Sequence, residues 1–329
     1  MQTDRLAGWV PTRLYWEQAQ PILDWCYLGQ TRFMEPFFDQ TILRCFRHPF
    51  CVLFRHQTPI TALAELQATR PGLPPSGFIF HMSRCGSTLV AQMLAALPQT
   101  IMISEASPID MVLRAHFHDT SITDDQRVSW LQWLVSALGQ PRQGAEQQFV
   151  IKFDSWHTQF LPIIQRAFPD VPRIFLYRDP VEVMVSHRRG RGSQMVPGML
   201  PPALFGLDAD TIFQMPLDEY CARVLASICQ AAVQHHQPGR DRLVHYRQLP
   251  QVVWSSLLDL FRIDHTADDI ERMRYATQFH AKNPSFFFVD DTQDKRQAAT
   301  ADLRALADRL VQPLYDQLAA LQQAQDARA

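Results

Sequence analysis

From residue 77 onward the chain alternates short apolar runs with stripes of helical spacing. The runs Phe78–Phe80, Ile101–Ile103, Phe149–Phe153, Arg173–Tyr177 and Leu243–Tyr246 have the pattern of buried strands. Between them, the spacing predicts helices over Gln126–Leu138, Thr158–Phe168 and Leu217–His236. Leu89, Val90, Met93, Leu94 and Leu97 predict another helix directly after the first run. This alternation implies an α/β fold, a mostly parallel sheet covered by helices on both faces. Ligand sites on such sheets lie at the C-terminal ends of the strands. That rule gathers the loop 81–88, Ser104-Glu105, Asp154-Ser155 and Arg178-Asp179 into one crevice.

Three stretches fall outside the alternation. Residues 1–75 form a front section rich in Trp, Tyr and Phe, closed by Pro71, Pro74 and Pro75. A helical cap on the main core is expected there, or a lobe that binds an acceptor. Residues 190–216 mix Gly, Pro and Met without period, which predicts a long irregular loop of the kind used as a lid or binding loop. The tail after about Ala298 reads as a docked amphipathic helix rich in Ala, Leu and Gln.

Composition narrows the classes. The chain has 329 residues, 47% of them hydrophobic, which is ample for a large core. A formal net charge of −2 argues against a general nucleic-acid or anionic-membrane surface and leaves room only for a local basic pocket. The six cysteines form no C-x-x-C pair and are expected to be reduced thiols in a cytoplasmic protein. The opening Met-Gln-Thr-Asp-Arg-Leu lacks a signal pattern, and no apolar run reaches the length that crosses a bilayer. No His/Cys cluster with metal-ligand spacing stands out, so no metal is expected.

The chemistry concentrates in two segments. The first is Gly77-Phe78-Ile79-Phe80-His81-Met82-Ser83-Arg84-Cys85-Gly86-Ser87-Thr88, a strand, a tight loop and a helix start. The first-turn N–H groups of a helix lack intrahelical partners, and the helix dipole favours an anion there. Gly86 permits close backbone approach, Ser87 and Thr88 add hydroxyls, and Arg84 adds a permanent cation. A nucleotide-triphosphate loop reads G-x-x-x-x-G-K-[ST]. Here Ser87 stands at the Lys position and His81 at that of the first Gly. The second segment is Arg178-Asp179-Pro180-Val181-Glu182 running to Ser186-His187-Arg188-Arg189. Asp179 as N-cap, Pro180 at the first helical position and Glu182 three residues after the cap predict a capping box.

The first segment resembles the 5′-phosphosulfate loop, P-[KR]-S-G-[ST]-T, of sulfotransferases that use PAPS (3′-phosphoadenosine 5′-phosphosulfate), with Cys85 in place of the usual Ser. The second resembles their 3′-phosphate motif, R-[ND]-P-x-[DE]-[VA]-x-x-S. Val244-His245-Tyr246-Arg247-Gln248-Leu249 is similar to the later V-R-Y-E-D-L strand motif. The resemblance covers about Ser76 to the C-terminus and implies a three-layer P-loop NTPase-like fold in residues 76–329. It further implies a sulfuryl group moved from PAPS to a hydroxyl or amine acceptor. Arg84, Cys85, Gly86, Ser87 and Thr88 would hold the 5′-side of PAPS, and Arg178 and Ser186 its 3′-phosphate. Residues 1–75 then form an extension or cap outside the family's domain.

The acceptor, whether small molecule, carbohydrate or peptide, carries no readable code. For the general base, Glu105 follows Arg84 by twenty-one residues, a spacing close to that of the catalytic Glu in the tyrosylprotein and several carbohydrate sulfotransferases. Asp154, in Lys152-Phe153-Asp154, is the second candidate, and His157 lies beyond it. His81 and His187 flank the two motifs and are expected to be structural. Lys282, Lys295 and Arg296 are expected to be solvated charges, though each could reach a phosphate. A P-loop kinase or NTPase is the alternative enzyme class, and an inactive nucleotide-binding scaffold the alternative without catalysis.

Overall fold

The computed structural model describes residues 6–287 and 291–327. Met1 to Arg5, on which most of the targeting reading rests, lie outside them. The front section opens with three antiparallel strands, β1 (Trp9–Glu17), β2 (Gln20–Tyr27) and β3 (His56–Pro59), in the order β1-β2-β3. The expected helical cap is thus corrected to a small sheet with the short helices Phe38–Phe46, Pro49–Leu53 and Ala62–Thr69. The turn between β1 and β2 is Gln18-Ala19, with φ of 47° and 65°. Left-handed φ at both central residues is the geometry of a tight hairpin turn, usually marked by Gly, Asn or Asp. Neither residue carries that mark, which hides the hairpin from a reading of sequence.

The front section is fastened to the rest of the chain by specific bonds. Arg32 donates to the carbonyls of Ala95 (3.0 Å) and Leu97 (2.6 Å). Ser107 Oγ donates to the Thr12 carbonyl (3.2 Å) and to Asp39 Oδ1 (2.9 Å). One continuous apolar cluster runs from Val10, Leu14 and Trp25 through the main sheet to Leu318.

The main sheet has five strands: β4 (Gly77–His81), β5 (Thr100–Ser104), β6 (Gln148–Lys152), β7 (Arg173–Tyr177) and β8 (Asp241–His245). Their order is β5-β6-β4-β7-β8, and every pairing is parallel. Every residue of β4, β5 and β7 is buried, as helices on both faces require. The five strands and three-layer α/β architecture match the alternation in sequence. The first strand, β4, sits at the centre, so the loop that follows it opens at the middle of the sheet.

The helices start and stop close to their expected limits. Asp124–Leu138 is capped by Thr123 and Gln126, each serving the other's backbone. The helix expected at Thr158–Phe168 is a 3₁₀ segment, Ser155–Phe160, that continues as the α-helix Leu161–Ala167. Leu217–Gln234 is a single long helix. The expected tail helix is broken into Ala301–Leu310 and Gln312–Asp326, with Pro313 in the first turn of the second. It docks on the sheet edge, where Tyr177 Oη donates to Gln322 Oε1 at 2.6 Å.

Candidate active site

A cavity of ≈ 570 Å³ opens over the C-terminal ends of the central strands. The residues of the two segments expected to hold the donor all line it: Arg84, Cys85, Gly86, Ser87 and Thr88 from the loop after β4, and Arg178 and Ser186 from the segment after β7. Glu105, after β5, and Asp154, after β6, line it too.

The loop is built from unusual backbone. Ser83 (φ 83°), Arg84 (φ 52°) and Gly86 (φ 87°) are all left-handed, a region that disfavours side chains. Gly86 sits where a Cβ would come within 2.6 Å of Leu249 Cδ1 and 3.0 Å of Tyr246 Cδ2. Three contacts hold the loop. The Ser83 N–H donates to His81 Nδ1 (3.1 Å), the Cys85 thiol donates to the Leu176 carbonyl (3.2 Å), and Arg84 donates to the Gly190 carbonyl. Burial pushes the Cys85 thiol up to about 12. Cys85 is therefore a neutral anchor, and it can serve an anion in the cavity only through its backbone N–H.

Lys152, at the end of β6, is fully buried. Its ammonium donates to Glu105 Oε1 and to Thr88 Oγ1 (3.4 Å), and it lies 5.2 Å from the centre of the Phe37 ring. Glu105 is itself left-handed at φ 52°. Burial would raise its carboxyl, but the Lys152 ammonium and the neighbouring His81 ring hold it below the usual carboxylate range. His81 accepts from Ser83 at Nδ1, so its proton lies on Nε2, 3.1 Å from the Phe153 carbonyl. Burial lowers its basicity, which fits the structural role expected for it.

Asp154 has the opposite electrostatics. Burial, with the carboxylates of Glu105 and Asp110 nearby, raises its pKa well above the ordinary value, against the pull of Lys152. Its backbone N–H donates to His157 Nδ1 (3.2 Å), and His157 Nε2 lies 3.0 Å from Asp110 Oδ1. His157 is thus committed to a buried network with Asp110. Glu105 and Asp154 are tuned apart by their neighbours.

The second segment departs from its expected detail. The Asp179 side chain accepts from the Glu182 N–H at 3.1 Å, as an N-cap should. Glu182 does not complete a capping box. Its carboxylate is 3% exposed and accepts from Arg178 Nε (2.7 Å) and Arg296 Nε (2.8 Å) instead. Two guanidinium groups are stronger partners for a buried carboxylate than one backbone N–H. Arg178 is also held by Thr292 Oγ1 (3.1 Å) and lies 3.8 Å from the centre of the Tyr246 ring. His187 in the same helix has no hydrogen-bond partner at either ring nitrogen among the described residues, and burial followed by Arg84 and Lys282 pushes it down to about 3.

Several cavity residues escape a reading of sequence. Lys282 and Lys295, expected as solvated charges, both line the cavity, and Lys295 is 6% exposed with its ammonium 2.8 Å from Asp291 Oδ1. Burial, then repulsion from Arg84 and Lys152, pushes Lys282 down to about 8. Gln194, in the irregular loop, donates to Ser83 Oγ and Ser155 Oγ, both at 3.1 Å, and draws that loop across the cavity. Phe37 and Asp39 reach the cavity from the front section. Lys152, whose ammonium meets Glu105, lies in the Lys152-Phe153-Asp154 stretch that the sequence does single out.

A family model described as the sulfotransferase family matches residues 75–251, just over half of the chain. The chain belongs to the sulfotransferase family. Solved structures similar to it include the sulfotransferase domain from the curacin biosynthetic pathway (18% identity, 73% of this chain and 98% of that one, TM-score 0.45). Another is the sulfotransferase domain of the Synechococcus PCC 7002 olefin synthase (16%, 77% and 96%, TM-score 0.42). A third is the sulfotransferase STF9 from Mycobacterium avium (14%, 77% and 80%, TM-score 0.46). No curated protein gave a significant sequence match. No helix among the described residues is long and apolar enough to cross a membrane.

Proposed function

We propose that this sulfotransferase moves a sulfuryl group from PAPS to a hydroxyl or amine acceptor, leaving adenosine 3′,5′-bisphosphate. One observation supports the reading: the two motif segments, with carboxylates between them, line a single cavity. PAPS, when bound, supplies the activated sulfuryl group. Arg84 and the N–H groups of Cys85 to Thr88 are assigned to its 5′ side, where they stabilise the negative charge that gathers on the leaving phosphate. Arg178 and Ser186 are assigned to the 3′-phosphate. In this reading residues 76–329 are the catalytic domain, and residues 1–75 add Phe37 and Asp39 to the wall that meets the acceptor. The cytoplasmic setting expected from the cysteine pattern is kept.

Glu105 is the proposed general base, with Lys152 holding its carboxylate in place and ionised. A second reading gives the proton to Asp154, and one observation favours it. Its raised pKa is better matched to accepting a proton near neutrality than the depressed one of Glu105.

Calorimetric titration with adenosine 3′,5′-bisphosphate, beside ADP and ATP with Mg²⁺, tests the donor. Tight metal-independent binding of the bisphosphate is expected. A preference for ATP with Mg²⁺ would move the protein to the kinase class, and binding of neither would leave an inactive scaffold.

A further inference from the structure

Residues 43–55 present the most exposed run of large apolar side chains in the front section. The end of the helix Phe38–Phe46 and the short helix Pro49–Leu53 form a corner there. Leu43 (63% exposed), Val52 (57%), Leu53 (75%) and Phe54 (59%) point to solvent. Monomeric soluble proteins seldom leave such a patch uncovered without a use for it. Arg44, Arg47, His48 and Arg55 are exposed among these side chains, and the chain has no Asp or Glu between Asp39 and Glu65.

We propose that this corner docks on an anionic lipid surface, with the apolar side chains inserted among the acyl chains and the arginines among the headgroup phosphates. Alternating apolar and basic side chains on one exposed face is the pattern of interfacial binding. Two of the arginines already have partners: Arg44 meets Glu35 at 2.5 Å and Arg55 meets Asp24 at 3.3 Å. Both guanidinium side chains stay more than half exposed while Glu35 and Asp24 are mostly buried, so lipid phosphates can share these arginines without displacing their partners. No partner takes Arg47 among the described contacts.

Two other occupants fit less well. A second copy related by a two-fold axis would bring this basic, acid-free segment against itself. A peptide would need a groove, and residues 43–55 line neither of the two main cavities. The same helix begins at Phe37 and Asp39, in the cavity wall. Docking therefore holds the cavity within about 14 Å of the headgroups, one helix of 9 residues. The proposal does not depend on the identity of the sulfuryl donor.

Flotation of the full chain with lipid vesicles tests it. Binding is expected with vesicles of mixed phosphatidylcholine and phosphatidylglycerol, not with phosphatidylcholine alone, and it should weaken as salt is added. Arg47→Gln should weaken it about fivefold, and the double variant L53D/F54D should remove it. Phe213→Asp, at an apolar residue 73% exposed elsewhere, should leave it unchanged. Circular dichroism confirms that each variant is folded, and Arg47→Gln carries the test should the double variant fail to fold. Absence of flotation, equal binding to neutral vesicles, or binding indifferent to Arg47→Gln overturns the proposal. So does dimerisation in solution that L53D/F54D dissolves, which would make this face an interface between copies.

Discussion

The two segments proposed to hold the anionic ends of the donor are made in different ways. After β4 the site is made of backbone. Three left-handed residues out of four, Ser83, Arg84 and Gly86, turn the main chain into the helix start, at a cost of order 1 kcal/mol or more for each non-glycine. His81, Leu176 and Gly190 hold that conformation through hydrogen bonds. After β7 the backbone is ordinary, a capped helix with Pro180 at its first position. There one side chain, Arg178, is fixed on three sides by Glu182, Thr292 and Tyr246. In the proposed reading the first segment would surround an anion with several weak donors at the place where charge changes. The second would offer one rigid cation to a group that does not react. On that reading the difference should separate turnover from affinity.

The largest expected effect is at the carboxylate beside the first segment. Glu105→Gln should lower kcat about a thousandfold with little change in bisphosphate affinity, within the range of general-base losses. The pH profile then separates the two candidate bases. Lys152 and His81 hold Glu105 low, so with Glu105 as base kcat stays level until the pH falls below the usual carboxylate range. With Asp154 as base, its raised pKa makes kcat fall at a higher pH. A profile of the second kind, with Asp154→Asn inactive and Glu105→Gln active, would transfer the role.

Next comes Arg84→Ala, with an expected loss of about a hundredfold in kcat, the scale of one lost transition-state donor. Bisphosphate affinity should change much less, because the backbone donors remain. Unchanged turnover would remove Arg84 from the reaction and leave the loop as a binding element only.

Arg178→Ala should act in the opposite sense. Adenosine 3′,5′-bisphosphate should bind about ten- to a hundredfold more weakly, the scale of one charge-assisted contact. The 3′-dephospho nucleotide should be nearly unaffected. The substitution also leaves the buried Glu182 with Arg296 alone, so thermal melting must accompany the titration. Equal losses for both nucleotides would sink the 3′-phosphate assignment and the contrast between the segments with it.

The smallest effect is a fraction of a proton. Lys282 is held down to about 8 by burial and by Arg84 and Lys152. An anion in the cavity favours its charged form, so binding above pH 8 should take up protons and weaken as the pH rises further. Calorimetry at pH 8.5 in two buffers of different ionisation enthalpy reads this directly (that pH lies about half a unit above the lowered pKa). Lys282→Met should abolish the uptake, and an uptake that survives the substitution belongs to another group.

Much of this was legible in the chain because it is local. Residues Phe78–Phe80 and Arg173–Tyr177 announce buried strands by their own run of apolar side chains, and Asp179-Pro180 announces a helix start by the chemistry of its first turn. The same holds for the seven residues of the two segments, which line one cavity because strand ends of a parallel sheet share one edge. Less legible features depend on a partner distant in sequence. Glu182 looks like half of a capping box until Arg296, 114 residues away, is seen to share its carboxylate. Lys282 and Lys295 look solvated until the fold encloses them. The β1–β2 hairpin turns at Gln18-Ala19 without a Gly, Asn or Asp to mark it, and β2 finds partners on both sides only in the fold.

By itself the sequence determined the alternation of strand and helix, the parallel sheet, and the two segments that resemble the phosphate-binding motifs of sulfotransferases. Those features follow from periodicity and short-range backbone chemistry, which a chain carries wherever it is placed. Only the tertiary structure decided which carboxylate is held low and which is raised. A pKa is set by desolvation and by the nearest charges, and here those charges, Lys152 for Glu105, and Glu105 then Asp110 for Asp154, arrive from other strands and helices.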